Sequence, residues 1–427
     1  MMQPSVINKR VKHTTKSRSI NDLSNDVLIH ILSFLPIKYA FRTTILSKRW
    51  FLLFYSLAVI SISDNEAYTK KAWVHFCRFV DTVLLSTHAE EQTLKTFHLD
   101  CRSKNWRPNS FICFDTWVEA AKRRGVEDLY LCMLQVMLSP TIFVCETLVV
   151  LKLDRLNVPS MSRFSVDLPS LKTLDLCFVC FQNSDDYMKL LSGSPKLEDL
   201  KTLYIKLNVR STAIENFEKP LLSNLIKANF RLFEVPFRAV YNVQFLNVLQ
   251  MGTRLPSEEN TSYYKSLPIF ENLIELRLSW TSRVTHDWSE VMKMLQNCPK
   301  LQTLSIKKWW GSITTIMENG KYQDHVPECV SSHLTTINIT NYQTVEADFK
   351  FASYILKNAR LLKDMTICFA RCSDIMQWTK CIEDLSRQRI SGAYLSRQRI
   401  SGAQNNSSSY HRSMNTITAY YNKMKVS

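Results

Sequence analysis

Nine histidines, at positions 13, 30, 75, 88, 98, 286, 325, 333 and 411, are the side chains best suited to proton transfer or metal binding in this chain. None belongs to an H-E-x-x-H pair that would seat zinc on one helix face, and no G-x-S-x-G elbow accompanies them. Cys177 and Cys180 form a C-x-x-C, but no second pair stands at zinc spacing, and Cys368 with Cys372 has no histidine beside it. The pair Trp309–Trp310 before Gly311 could stack a ligand, yet an aromatic pair directly after an apolar strand reads first as packing. The seven glycines include neither G-x-G-x-x-G nor G-x-x-x-x-G-K, so no backbone cradle for phosphates is available. The expectation is a chain without catalytic residues, cofactor or metal.

The elements that would position any functional side chain must therefore be sought in binding architecture. At about 100–200 residues per domain, 427 residues make two or three domains, and 45% hydrophobic residues suffice for a buried core. No apolar run reaches the roughly 18 residues of a membrane span, and the basic N-terminus lacks the apolar stretch of a secretory signal. An intracellular, reducing setting follows as the expectation, in the nucleus, the cytoplasm or both, with the twelve cysteines serving as small hydrophobes. The net charge of +16 is concentrated in the tails: residues 1–20 and 385–427 together carry +12, and 42 basic against 38 acidic residues remain between them. That is an ordinary surface, so neither nucleic acid nor a membrane is an expected partner, although Lys9, Arg10 and Lys12 could form a nuclear-import patch.

One pattern recurs through most of the chain: apolar residues at i, i+3 and i+5, the L-x-x-L-x-L core of a leucine-rich repeat. Copies begin at Leu94, Val126, Leu148, Leu171, Leu200, Leu225, Val243, Leu273, Leu301, Leu334 and Leu362. The second and third apolar positions lie two apart, so on a short strand both enter the core while the residue between them faces out. The outward row is predicted to be His98, Tyr130, Lys152, Asp175, Tyr204, Asn229, Asn247, Arg277, Ser305, Asn338 and Thr366. It is either a recognition surface, with Tyr204, Arg277 and Asn338 as representative substrate contacts, or the solvated side of a sheet. Helical spacing at 185–191, 288–295 and 349–356 predicts short outer helices, and the uneven repeat lengths predict outer segments of varying size. Pro195 and Pro299 each end such a segment.

Residues 20–60 differ. Val27, Leu28, Ile31, Leu32 and Leu35 form a helical stripe stopped by Pro36, a second helix is predicted from Ile37 to Leu46, and Ser47 is placed to cap a third. Too few apolar residues occupy this unit to close a core alone, so a partner or the following repeats must complete it. The run Asp26-Val27-Leu28, Ile31-Leu32-Ser33, Leu35-Pro36, Lys38, Ala40, Thr43 and Leu46-Ser47-Lys48-Arg49-Trp50 resembles an F-box. Departures are Ser24 where the family has proline, Thr44 where it has serine, and Phe54 where many members have tryptophan. An F-box followed by leucine-rich repeats is the layout of a large plant family. Val326-Pro327-Glu328-Cys329, the Leu334 triplet and the stretch from Tyr354 to Ile367 resemble the FBD region that ends many of its members.

The resemblance implies an α/β chain: a basic tail at 1–19, a three-helix F-box at 20–60, a repeat solenoid at 61–325 with a curved parallel sheet and outer helices, and an FBD-like continuation at 326–384. It implies a non-catalytic receptor whose F-box docks on a Skp-type adaptor, and through it a cullin, while the repeats hold a protein substrate near a ubiquitin-charged conjugating enzyme. Its contribution to rate would be proximity. Leu23, Leu28, Ile31, Leu32, Leu35, Pro36, Leu46 and Trp50 are then expected either to touch the adaptor or to form the small core that shapes that contact, and Lys48 and Arg49 to be rim or solvated charges. A repeat scaffold without ubiquitin machinery remains the alternative. Residues 385–393 and 395–403 are identical, which reads as a tandem duplication in a polar, acid-free tail expected to be disordered from 385 to 427.

Overall fold

The computed structural model describes residues 19–65, 69–102, 112–209, 222–249, 251, 267–280, 288–309, 325–343, 345–369, 393–395 and 416–423. The N-terminal tail before Ser19, the duplicated segment except Ala393 and Leu395, Trp310, Gly311 and Cys372 lie outside these residues.

Three helices open the described chain: α1 (Asn25–Ser33), α2 (Ile37–Arg42) and α3 (Lys48–Tyr55). Pro36 precedes α2, whose predicted continuation to Leu46 instead tightens into a 3-10 turn at Thr43–Ile45. There the Thr43 and Thr44 hydroxyls donate back to the carbonyls of Ala40 and Phe41, at 2.7 Å each, which closes the helix. Ser47 caps α3 as expected, its hydroxyl accepting the Trp50 N–H at 3.4 Å.

A parallel sheet follows. Its strands are β1 (Val59–Ser63), β2 (Thr96–Cys101), β3 (Asp128–Met133), β4 (Val150–Asp154), β5 (Thr173–Cys177) and β7 (Asp199–Leu203). It continues through β9 (Lys227–Arg231), β10 (Phe245–Leu249), β11 (Glu275–Ser279), β12 (Thr303–Lys307), β13 (Thr336–Tyr342) and β14 (Asp364–Phe369). Each strand pairs in parallel with the next in this order. Two short strands, β6 (Cys180–Asn183) and β8 (Lys206–Val209), make a separate parallel ribbon beside it. The solenoid expected from the triplets is thereby borne out: apart from the triplet at Leu200, the second and third apolar residues of every one are buried.

Outer segments vary as the repeat spacing predicted. The interval from Leu94 to Val126 holds the helix Ile112–Arg123, whereas the short interval from Leu225 to Val243 holds only the 3-10 turn Phe237–Val240. The first of these ends on Gly125 at φ +75, with its N–H on Lys122 O at 2.9 Å and Val126 N–H on Ala121 O at 3.2 Å. This left-handed closure favours glycine, which takes positive φ without a Cβ penalty. Helices at Ser184–Ser192, Trp288–Gln296 and Glu346–Asn358 stand where helical spacing placed them. Among the described residues no helix is long and apolar enough to cross a membrane.

One core runs without interruption from Leu28 to Ile367. The F-box joins it through α4 (Lys70–Leu84): Phe41 meets Phe79 edge-on at 5.4 Å, and the Tyr55 hydroxyl donates to Thr82 O at 3.3 Å. Near the other end a buried ion pair fastens β12 to the helix Glu346–Asn358. Lys308 Nζ lies 2.7 and 2.6 Å from the two Asp348 oxygens, both side chains being fully buried. Asp348 also accepts the Trp288 indole N–H at 3.0 Å and the Gln343 N–H at 2.9 Å. Burial pushes the Lys308 ammonium below its usual range, and the Asp348 carboxylate opposes that shift.

Three expectations need correction. The triplet at Leu200 is out of frame by three: Leu197, Leu200 and Thr202 point inward, and the polar Thr202 hid this from an apolar pattern. A twelfth triplet, Leu57, Ile60 and Ile62, builds β1 across the boundary expected at 60. The expected disorder of 385–427 does not hold at β15 (Ala393–Leu395) and β16 (Thr416–Lys423): β16 pairs antiparallel with β14, and β15 with β16. The β-branched and aromatic run from Thr416 to Tyr421 suits a strand, and the edge of β14 would otherwise present an open ladder.

Candidate functional site: an apolar F-box face and a polar concave row

The coordinates divide the F-box residues that sequence alone left undivided. Leu28, Leu32 and Trp50 are buried and form core, while Leu23, Ile31, Leu35, Pro36 and Leu46 are exposed. On α1 the buried pair and the exposed Val27 and Ile31 occupy adjacent stripes, since positions four apart share a helix face. Sequence reasoning missed the most exposed apolar side chains: Phe34 at 74% and Ile45 at 86%, beside Leu46 at 64%. Both sit in the turns that end helices, where a helical stripe gives no signal.

Arg49 is neither a rim charge nor simply solvated. Its guanidinium donates to Asn25 Oδ1 at 2.9 Å, Asn21 O at 2.6 Å and Leu23 O at 2.5 Å, so α3 clamps the entry into α1. Ser24, in place of the family proline, is the N-cap of α1 but makes no side-chain cap bond there. Its φ of −64° is proline's own, and Leu23 before it is extended at φ −73°, ψ 149°, as a residue preceding proline must be. Ser24→Pro is expected to stabilise the chain by about 0.4–1 kcal/mol by restricting the unfolded state. A rise in thermal midpoint checks this, and a fall would contradict it.

The second surface is the outward row of the parallel sheet. The strand register aligns Ser61, His98, Tyr130, Lys152, Asp175 and Lys201, and then Asn229, Asn247, Arg277, Ser305, Asn338 and Thr366. Arg277 and Asn338 stand in the row as expected. Tyr204 does not: Lys201 takes its place, and Tyr204 lies one residue past β7 with φ +60°. Neighbouring repeats are laced by side chains, with His98 Nε2 3.2 Å from Asp128, Lys201 Nζ 2.7 Å from Asp175, and Asn338 Nδ2 3.5 Å from Ser305. Arg277 pairs along its own strand with Glu275.

Two thiols on this face, Cys132 and Cys177, are held in their protonated form by their surroundings. Burial pushes Cys132 up to about 12 and Cys177 up to about 11, so both stay protonated at neutral pH. The C-x-x-C holds no disulfide, and the Cys180 thiol donates to Asn208 Oδ1 at 3.3 Å instead. Among the described residues no cluster of three or more histidine, cysteine or acidic side chains could hold a metal.

A three-helix unit that presents an apolar face at one end of a leucine-rich-repeat solenoid has the architecture of the F-box/leucine-rich-repeat class. Three family models match in that order: F-box domain at 20–59, the repeats of FBD-associated F-box protein At5g56370 at 114–218, and FBD at 323–367. The chain thus carries segments that match the F-box, leucine-rich-repeat and FBD models in that order. It is similar to FBD-associated F-box protein At3g52670 of Arabidopsis thaliana, with 28% identity over 382 residues, covering 83% of this chain and 89% of the relative. F-box/FBD/LRR-repeat protein At4g26340 of the same plant shares 28% over 401 residues, covering 81% and 91%. FBD-associated F-box protein At4g10400, also from Arabidopsis, shares 27% over 416 residues, covering 87% and 96%.

Proposed function

We propose that this chain is the substrate-recognition subunit of a Skp–cullin–F-box ubiquitin ligase, working in the nucleus, the cytoplasm or both. The F-box face of Ile31, Phe34, Leu35, Ile45 and Leu46 docks on a Skp-type adaptor, and the concave row holds a protein substrate. The carrying observation is the contrast within the F-box. Leu28, Leu32 and Trp50 are buried in its core, so the large apolar side chains left outside are surplus to that core, and several exposed apolar side chains in one small unit are what a protein interface requires. The chain does no bond chemistry in this scheme; it raises the local concentration of substrate lysines at the thioester.

The test is co-purification of the full chain with a Skp-type adaptor and a cullin. Leu35→Asp places a charge on the exposed face and is expected to weaken adaptor capture by about tenfold or more while the helical circular dichroism signal is kept. Leu32→Asp buries the charge in the core and is expected to unfold the unit. Wild-type capture by Leu35→Asp, or failure of the wild-type chain to retain adaptor, sinks the reading in favour of a repeat scaffold without ubiquitin machinery.

A further inference from the structure

β1 begins the parallel sheet and is paired on one side only. The bonds at its two ends show which backbone groups are used. Ala58 O accepts the Thr96 N–H at 3.0 Å, and the Asp64 N–H donates to Asp100 O at 3.0 Å, so the even-numbered residues turn their backbone toward β2. Because these groups alternate along a strand, the N–H and C=O of Val59, Ser61 and Ser63 point away from the sheet. Among the described residues nothing bonds to them there. Exposure agrees: all three residues are exposed, Val59 at 55%, whereas their register mates on β2, Thr96, His98 and Asp100, are half-buried.

A free strand edge is a template for another strand, and proteins blunt it with lysine, proline or a bulge. β1 carries none of these. Val-Ile-Ser-Ile-Ser has no charge, proline or glycine, and its β-branched residues favour the extended state. Asp64, which follows, is buried and accepts the Arg102 N–H at 3.1 Å, so its charge is turned back into the protein. At the opposite end of the sheet the chain covers β14 with its own β16, so of the large sheet's parallel strands only β1 keeps an open side.

The exposed edge is its own complement. Turned about a two-fold axis at Ser61, a second β1 runs antiparallel to the first, with Ser61 facing its own copy and Val59 facing Ser63. Each of these three residues then exchanges both backbone bonds with its mate, and no bulky side chains meet at the centre. No like charges oppose one another, since Asp64 comes opposite Ala58. Such a contact closes at two copies, whereas joining β1 to the far end of a second sheet would run on into a filament. We infer that β1 is the seam of a homodimer, paired antiparallel across Ser61. None of its residues belongs to the F-box face assigned to the adaptor, so the inference does not depend on the receptor reading.

Light scattering of the full chain at about 50 µM is expected to give twice the 49.8 kDa of one copy. Ser61→Lys places lysine opposite lysine and is expected to weaken association about tenfold or more, with the thermal midpoint of the dilute protein unchanged because the position is exposed. Ser61→Cys is expected to give a disulfide-linked dimer under mild oxidant, because paired Cα atoms stand about 5.5 Å apart. Ser63→Cys, roughly 14 Å from its own copy, should stay at the wild-type level of crosslinking. This cysteine pair decides the register even if the lysine variant folds poorly. A wild-type monomer at that concentration, a mass growing beyond two copies, a folded Ser61→Lys that still dimerises, or crosslinking of Ser63→Cys as fast as Ser61→Cys overturns the inference.

Discussion

Lys308→Met is expected to lower stability by about 3–5 kcal/mol, because it leaves the buried Asp348 carboxylate without its cation. Methionine fills much of the lysine stem's volume, so the loss is electrostatic rather than a cavity. Adding Asp348→Asn removes the stranded charge and keeps one of the two oxygens, enough for the Trp288 indole at Oδ1 or the Gln343 N–H at Oδ2 but not both, and is expected to restore part of the loss. Asp348→Leu is the worse partner, since it leaves both of those donors unpaired. Urea unfolding of wild type and these two variants, with hydrogen exchange followed in β12 to β14, checks the order: Lys308→Met least stable, the double Met/Asn variant intermediate, wild type highest. A single variant as stable as wild type would mean that the buried carboxylate does not depend on this cation.

Leu276→Ala is expected to cost about 2–5 kcal/mol, whereas Arg277→Ala, one residue along, should stay within about 0.5 kcal/mol. Leu276 is fully buried between Leu246 and Leu304 of the adjoining strands, so truncation opens a cavity that neighbouring repeats cannot refill. Arg277 lies on the opposite side with more than half its side chain in solvent, and its pair with Glu275 is of the exposed kind that contributes little. Chemical denaturation reads the contrast directly. If Arg277→Ala were the damaging change, the inward and outward assignments of β11 would be exchanged.

What was legible from sequence is what repeats. An inward residue every second position is a local property of each strand, so Leu94 to Ile367 could be placed without knowing which strands pair. The frame was lost only at β7, where Thr202 occupies an inward position. Its hydroxyl is satisfied by Glu234, thirty-two residues away, and no local pattern registers a partner at that distance. The same reason hid the Lys308–Asp348 pair, forty residues apart, and the Arg49 clamp on the entry to α1. Leu57, Ile60 and Ile62 carry the same pattern, but their closeness to the F-box masks it as the start of the repeats. Tyr204 lies in a turn one residue past β7, a position that the triplet pattern does not describe. The exposed face of the F-box could not be separated from its core by helical spacing alone, because its strongest members, Phe34 and Ile45, lie where the helices stop.

The junction of Phe41, Phe79, Tyr55 and Thr82 fuses the F-box to the first repeat within the same continuous core, and this sets a distance. Parallel strands step by about 4.8 Å, so each repeat position along the sheet stands at its own fixed reach from the F-box helices. The chain works as a gauge: removing one repeat would leave every local contact surface intact and still displace everything beyond it by one step. Under the receptor role proposed above, which lysines of a bound protein come within range would be decided by where along the gauge that protein is gripped, before any property of the lysine itself is tested.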